Sequence, residues 1–252
     1  MKPPLVLLHA FPLSSSMWEA ERTALAPSFH VITPDLPGFG ESPRQKTPSI
    51  PGMARGVAEF LDCSGVREPV FIGGLSMGGY VAFEFFRQFP ERVRGMGLFS
   101  TRAVADTPEG RETRLKTVEK IRKEGLGPFS EVVLPKLLGR STLKSQPEVV
   151  LRVKEMILRS RPEGVIDALL AMSDRRDSTD LLGTIRCPAF VVAGEEDSFI
   201  PAAEAEAMSA KIPKAELALI RKAGHLVNLE QPAVFQELLK RFLQGKRFAF
   251  SR

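Results

Sequence analysis

Ser76 stands in Gly73-Gly74-Leu75-Ser76-Met77-Gly78-Gly79, directly after the apolar run Val70 to Ile72 and before the helical pattern Tyr80 to Phe86. A serine on so tight a strand-to-helix turn holds its hydroxyl in the open, provided that the residues two positions away on either side are small. Gly74 and Gly78 meet that condition. The Met77 amide opens the following helix and adds the positive end of the helix dipole, which makes it a candidate donor to an oxyanion. A glycine-rich turn can also be a plain structural loop, so the serine needs partners.

A second oxyanion donor is available near the N-terminus, where Leu5 to Leu8 leads into His9-Ala10-Phe11-Pro12. Pro12 has no N–H and biases Phe11 toward an extended backbone, which leaves the Phe11 amide as the donor. A base must come from three histidines. His9 is read as organising its loop, and His30 heads a strand as a surface or edge residue. His225, in Lys222-Ala223-Gly224-His225 after the run Leu217 to Ile220, would stand over the strand ends. The acid comes from Gly194-Glu195-Glu196-Asp197, which follows a buried run; Asp197 is preferred, with Glu195 and Glu196 as the alternatives. Such a set could perform acyl transfer, with the serine attacking an ester carbonyl, the histidine taking its proton and the acid fixing the imidazole.

Elements that would position these groups are legible in the pattern. Short runs rich in Val, Ile and Leu recur at 5–8, 31–32, 70–72, 96–99, 190–192 and 217–220, separated by helical stretches at 17–25, 53–61, 77–88, 202–211 and 233–243. Alternation of this kind predicts an α/β fold, a mostly parallel sheet of about six strands flanked by helices. Ser16 with Glu19 has capping-box spacing, and Pro201 and Pro232 suit the first turns of helices. Residues 104–182 break the rhythm, with helices expected at 111–123, 130–138, 148–159 and 163–172 and no strand. The chain therefore divides into a core, 1–103 with 183–252, and a helical cap, 104–182.

The chain of 252 residues is 43% hydrophobic, enough for a sizeable core. No apolar stretch approaches the roughly 20 residues of a membrane span, and no secretory leader is recognised, so a cytoplasmic protein without a membrane partner is expected. Cys63 and Cys187 are expected to be free, buried thiols. The net charge of +5 traces to 102–161, with 14 basic and 8 acidic side chains mixed along helices. A solvated surface is expected there rather than a nucleic-acid site. No metal or organic cofactor is required, and the chain is expected to be a monomer or a homodimer.

With these residues assembled, the sequence resembles the α/β-hydrolase superfamily, from His9-Ala10-Phe11-Pro12 through Pro34-Asp35-Leu36-Pro37-Gly38-Phe39-Gly40-Glu41-Ser42 to the serine turn and Gly224-His225. It looks most like the small bacterial carboxylesterases and the oxoadipate enol-lactonase group, whose serine turns likewise read G-x-S-M-G-G. The resemblance implies a triad of Ser76, Asp197 and His225, in the family's chain order, with the acid three residues after a glycine. It implies a structural role for Ser42. The family usually opens with an antiparallel hairpin, for which this chain has no segment ahead of Pro4, so six strands are expected. The implied activity is serine carboxylesterase action on small to medium acyl esters, with Phe11, Met77, Trp18, Leu138 and Leu170 lining an apolar pocket. A lactonase is the alternative, and a carboxylate-bearing substrate would require Arg102, Arg140 or Arg161 to face Ser76. C–C hydrolysis, perhydrolysis and ligand binding without turnover are the remaining readings.

Overall fold

In the computed structural model, which describes residues 2–245, six strands form one wholly parallel sheet in the order β2-β1-β3-β4-β5-β6. They are β1 (Pro4–Leu8), β2 (His30–Ile32), β3 (Val70–Leu75), β4 (Val93–Phe99), β5 (Ala189–Gly194) and β6 (Ala215–Ile220). The expected six-strand α/β architecture is what the described residues form. β1, β3 and β5 are buried along their whole length, as strands covered on two faces must be. Residue 1 and residues 246–252, assigned to the core from the sequence, lie outside the described residues.

The helices in chain order are α1 (Glu19–Leu25), α2 (Ile50–Cys63), α3 (Met77–Gln88), α4 (Pro108–Glu124), α5 (Leu126–Leu137) and α6 (Arg140–Ser145). Next come α7 (Pro147–Leu158), α8 (Pro162–Ser173), α9 (Thr179–Leu182), α10 (Ala202–Lys211), α11 (Val227–Glu230) and α12 (Pro232–Leu243). Helices α4 to α9 all fall between β4 and β5, and no strand interrupts them.

Several local expectations are corrected. Ser16 does not cap α1; it lies inside a 3-10 turn over Ser15–Trp18, and its hydroxyl meets that of Ser14 at 2.9 Å. Pro201 precedes α10 as its N-cap rather than sitting in the first turn, whereas Pro232 does open α12. Cys63 and Cys187 are free, but Cys63 is exposed and Cys187 only partly buried. His30 is exposed at the start of the edge strand β2.

The order of the strands decides where a site can form. From β1 the chain moves outward to β2, then returns to place β3 on the other side of β1. At that switch point the loops after β1 and β3 diverge at the carboxyl end of the sheet and leave a crevice. Phe11 follows β1 and Ser76 follows β3.

Candidate active site

Ser76 has φ 55° and ψ −113°, a backbone conformation that a residue with a Cβ adopts only under constraint. Three contacts supply it. Its amide donates to the Phe99 carbonyl at 2.9 Å, and its carbonyl accepts from the Thr101 hydroxyl at 2.8 Å and the Gly79 amide at 2.9 Å. The glycines follow from close approach: a Cβ at Gly74 would fall on the Gly78 carbonyl, and one at Gly78 on the Leu8 carbonyl. The turn is thus pressed against both the end of β1 and its own helix.

His225 and Asp197 meet on the other half of the crevice. Nδ1 of His225 lies 2.8 Å from Oδ2 of Asp197, and both side chains are almost wholly buried. The second oxygen, Oδ1, accepts from the amides of Phe199 and Ile200 at 2.8 and 3.0 Å. With one oxygen fixed by backbone, the other is aimed at the imidazole, which orients the ring and leaves Nε2 facing away from the acid. Phe199 adds a tilted ring contact to His225 at 5.2 Å. The alternatives to Asp197 are engaged elsewhere. Glu196 accepts from the amide and hydroxyl of Ser141 at 2.8 and 2.7 Å, and Glu195 lies 4.0 Å from Arg221.

The loops carrying these two residues are locked to each other. The Glu196 amide donates to the Ala223 carbonyl at 2.8 Å, and a Cβ at Gly194 would fall on the Ala223 and Gly224 carbonyls. Glu230, buried on α11, accepts from the amides of Gly224 and Leu226 at 2.9 and 3.1 Å with one oxygen. Its other oxygen accepts from the Gly139 amide and the Thr142 hydroxyl, each at 2.7 Å. Burial pushes this carboxyl above the ordinary range, against the pull of the four hydrogen bonds. Sequence reasoning passed over Glu230; the available signal was an acid ending the mainly apolar stretch Leu226-Val227-Asn228-Leu229.

His9 sits beside the site as a neutral ring. The Leu36 amide donates to its Nε2 at 2.9 Å, so the ring proton belongs on Nδ1, which faces the Ala10 carbonyl at 3.1 Å. Burial lowers its pKa to about 4, in spite of the Ala10 carbonyl and the Asp35 charge. Organising the loops after β1 and β2 accounts for both of its nitrogens.

Ser76, His225 and Phe11 line one cavity of about 640 Å³, to which α4 contributes Thr113 and Thr117, α5 Val133 and Leu137, and α8 Leu169 and Met172. Phe11 packs edge-on against Phe129 of α5, ring centroids 6.1 Å apart. Met77 is the buried first residue of α3, so its amide lies ahead of the helix's own hydrogen-bond ladder. Four expected pocket residues, Met77, Trp18, Leu138 and Leu170, are not among the lining. Trp18 is wholly buried in the core, between Phe99 and Phe235 at 6.3 and 6.0 Å. Leu170 is displaced by Leu169, because adjacent positions on a helix point about 100° apart, and Leu138 by Leu137, because α5 ends there and Leu138 continues in extended backbone. Of the three arginines named from the sequence, only Arg102 lines the cavity. Arg140 is exposed beside Glu196, and Arg161 donates to the carbonyls of Gly40 and Ser42.

A family model described as the alpha/beta hydrolase fold matches residues 3–232. Among solved structures, the chain is similar to a malate-bound thermophilic esterase from Thermogutta terrifontis. The identity there is 40%, the TM-score 0.95, and the match covers 98% of this chain and 92% of that one. It is also similar to the enol-lactonase from Burkholderia xenovorans LB400, at 25% identity and a TM-score of 0.89 over 97% and 92% of the two chains. A curated relative, the dihydrolipoyllysine-residue acetyltransferase component of the acetoin cleaving system of Pseudomonas putida, is 30% identical over 252 residues. That match takes in 96% of this chain but only 63% of the length of the relative. No described helix is long and apolar enough to cross a membrane. The matched span, the six-stranded parallel sheet and the serine turn agree in one assignment: the chain belongs to the α/β-hydrolase fold family of hydrolases.

Proposed function

We propose that the protein is a serine carboxylesterase that hydrolyses small to medium acyl esters through an acyl-enzyme. One observation carries the reading: the buried Asp197–His225 pair opens into the cavity that also receives Ser76 from its constrained turn. In this reading His225 removes the Ser76 proton as the hydroxyl attacks the carbonyl, and Asp197 stabilises the imidazolium. The Phe11 and Met77 amides hold the oxyanion, each worth on the order of 3 kcal/mol of barrier. His225 then protonates the leaving alcohol, and water, activated by the same ring, releases the acid. Helices α4 to α9 act as the cap. The protein works in the cytoplasm on a small-molecule ester, as a monomer or homodimer, without a cofactor.

Hydrolysis of p-nitrophenyl acetate, butyrate and octanoate by the wild type and by Ser76→Ala tests this. Loss of turnover by roughly a millionfold in the variant is expected. Turnover that survives the substitution would assign the nucleophile elsewhere. A lactonase is the second reading, supported by Arg102 in the cavity wall and by the likeness to the enol-lactonase.

A further inference from the structure

The charges that line the cavity are uneven. Its acids are already matched: Asp106 is ion-paired with Arg114 and, at 3.1 Å, with the buried Arg175. Burial pushes the Asp106 carboxyl up, but the Arg114 hydrogen bond and the charges of both arginines bring it below its ordinary value, so it stays ionised. Glu204 has one cationic neighbour, Arg102, at 3.6 Å, beyond hydrogen-bond reach. Three lysines from three elements add to this wall: Lys120 of α4, Lys136 of α5 and Lys211 of α10. Only Lys120 has an acidic neighbour, Glu124 at 4.0 Å, among the described residues.

Arg102 is the deepest of these cations in chemical terms. It follows β4 by three residues, so it issues from the same carboxyl edge of the sheet as Ser76. Its side chain is one-third exposed, yet its Nε is buried without a hydrogen-bond partner. A buried guanidinium donor left unmatched is costly, and a carboxylate is the group whose two oxygens fit such a fork. Arg175 behind it also has an unpartnered Nε, but it is almost wholly buried and held by Asp106, by the Val104 carbonyl at 2.6 Å and by the Tyr80 ring at 4.0 Å, and it does not line the cavity.

We infer that the cavity selects esters or lactones carrying a second, anionic group, a carboxylate that Arg102 binds while the lysines at the wall attract it. The inference rests on Ser76 being the nucleophile. A neutral six-carbon acyl chain would fill the same apolar space under α5 and α8 but offer the Arg102 Nε no acceptor.

Two matched pairs of esters test it. One pair is the mono-p-nitrophenyl ester of adipic acid against p-nitrophenyl hexanoate; the other is the butyrate ester of 4-hydroxybenzoate against that of its methyl ester. In at least one pair the charged member is expected to show about tenfold higher kcat/KM, mostly through KM. The preference should shrink when ionic strength rises from about 20 mM to about 500 mM. Arg102→Gln should abolish the preference ratio, and Arg102→Lys should restore part of it, with far-ultraviolet circular dichroism confirming that each variant is folded. Equal rates within both pairs in the wild type, or an unchanged ratio in folded Arg102→Gln, would overturn the inference. If Ser76→Ala keeps turning over the neutral esters, the underlying reading fails instead, which is a separate result.

Discussion

The turn around Ser76 and the helices between β4 and β5 are built to different tolerances, and their glycines report it. Around Ser76, a Cβ at Gly74, Gly78 or Gly79 would overlap backbone or the Thr101 side chain. Within residues 104–182, a Cβ at Gly125 or Gly127 would meet nothing within 4 Å, and one at Gly110 only ordinary contacts at 3.6–3.9 Å with its own segment. Two glycines of the helical segment depart from this rule, and both touch the core: Gly139 abuts Gly224, and Gly164 abuts Gly38. Those two glycines therefore mark two close seams between the segment and the core. One seam is reinforced by Glu230, the other by the bidentate Arg44–Asp167 pair at 2.6 and 2.9 Å and by the Ser160 hydroxyl on the Pro12 carbonyl at 2.7 Å. The Ser76 turn is thus crowded on every side, whereas the helical segment is most crowded where its glycines meet the core.

The contrast can be attacked first on its crowded side. Asp197→Asn preserves shape but offers the imidazole the wrong partner, and kcat on p-nitrophenyl butyrate should fall by about ten thousandfold with little change in KM. A loss below about tenfold would remove Asp197 from the proposed triad.

A smaller effect belongs to the core alone. His9 has a folded-state pKa of about 4 against an ordinary 6.5, so between those values the unfolded chain binds a proton that the folded chain refuses. Its contribution is whole above about pH 6.5 and is lost as the pH falls toward 4, by up to about 3 kcal/mol. Urea unfolding at pH 7, 6 and 5 should show this slope in the wild type, and His9→Gln, though less stable throughout, should flatten it. Parallel slopes in the two proteins would discard this account of His9.

The smallest effect sharpens the comparison at the seam. Glu230→Gln keeps the volume but turns an amide toward donors, and should lower stability by about 1–3 kcal/mol. If the carboxylate positions the His225 loop as well as the cap, kcat should drop about tenfold while KM moves less. A lowered Tm with kcat intact would make Glu230 a fastener of the cap only.

Legibility in the sequence divided along the same line. All six strands and the five expected core helices occur where apolar runs and helical spacing put them, because burial on two faces leaves an unmistakable pattern. The short helices α6, α9 and α11 escaped, being too brief to show a period. Ser76, Asp197 and His225 could be named because each follows a strand by a few residues, and strand ends fix loop positions. The pocket could not be read this way. Leu137 and Leu138, or Leu169 and Leu170, are equivalent by composition, and which of them faces the cavity depends on where α5 ends and on how α8 is rotated, which are tertiary properties. Trp18 was misplaced for a related reason: an aromatic near the site suits a pocket or a core, and here it fills the core.

The place where the cap enters the chain carries its own consequence. The Ser178 amide donates to the Ala103 carbonyl and the Ala105 amide to the Asp177 carboxylate, each at 2.9 Å, so the two ends of the helical segment are held side by side. Bringing those ends together costs almost the same entropy whatever lies between them, since doubling the enclosed length adds only about 0.6 kcal/mol. Lengthening or shortening the segment away from Gly139, Ser141 and Thr142, which bind Glu230 and Glu196, therefore leaves the pairing of β4 with β5 nearly untouched. Specificity can be rewritten at this junction by insertion and deletion, without renegotiating the fold.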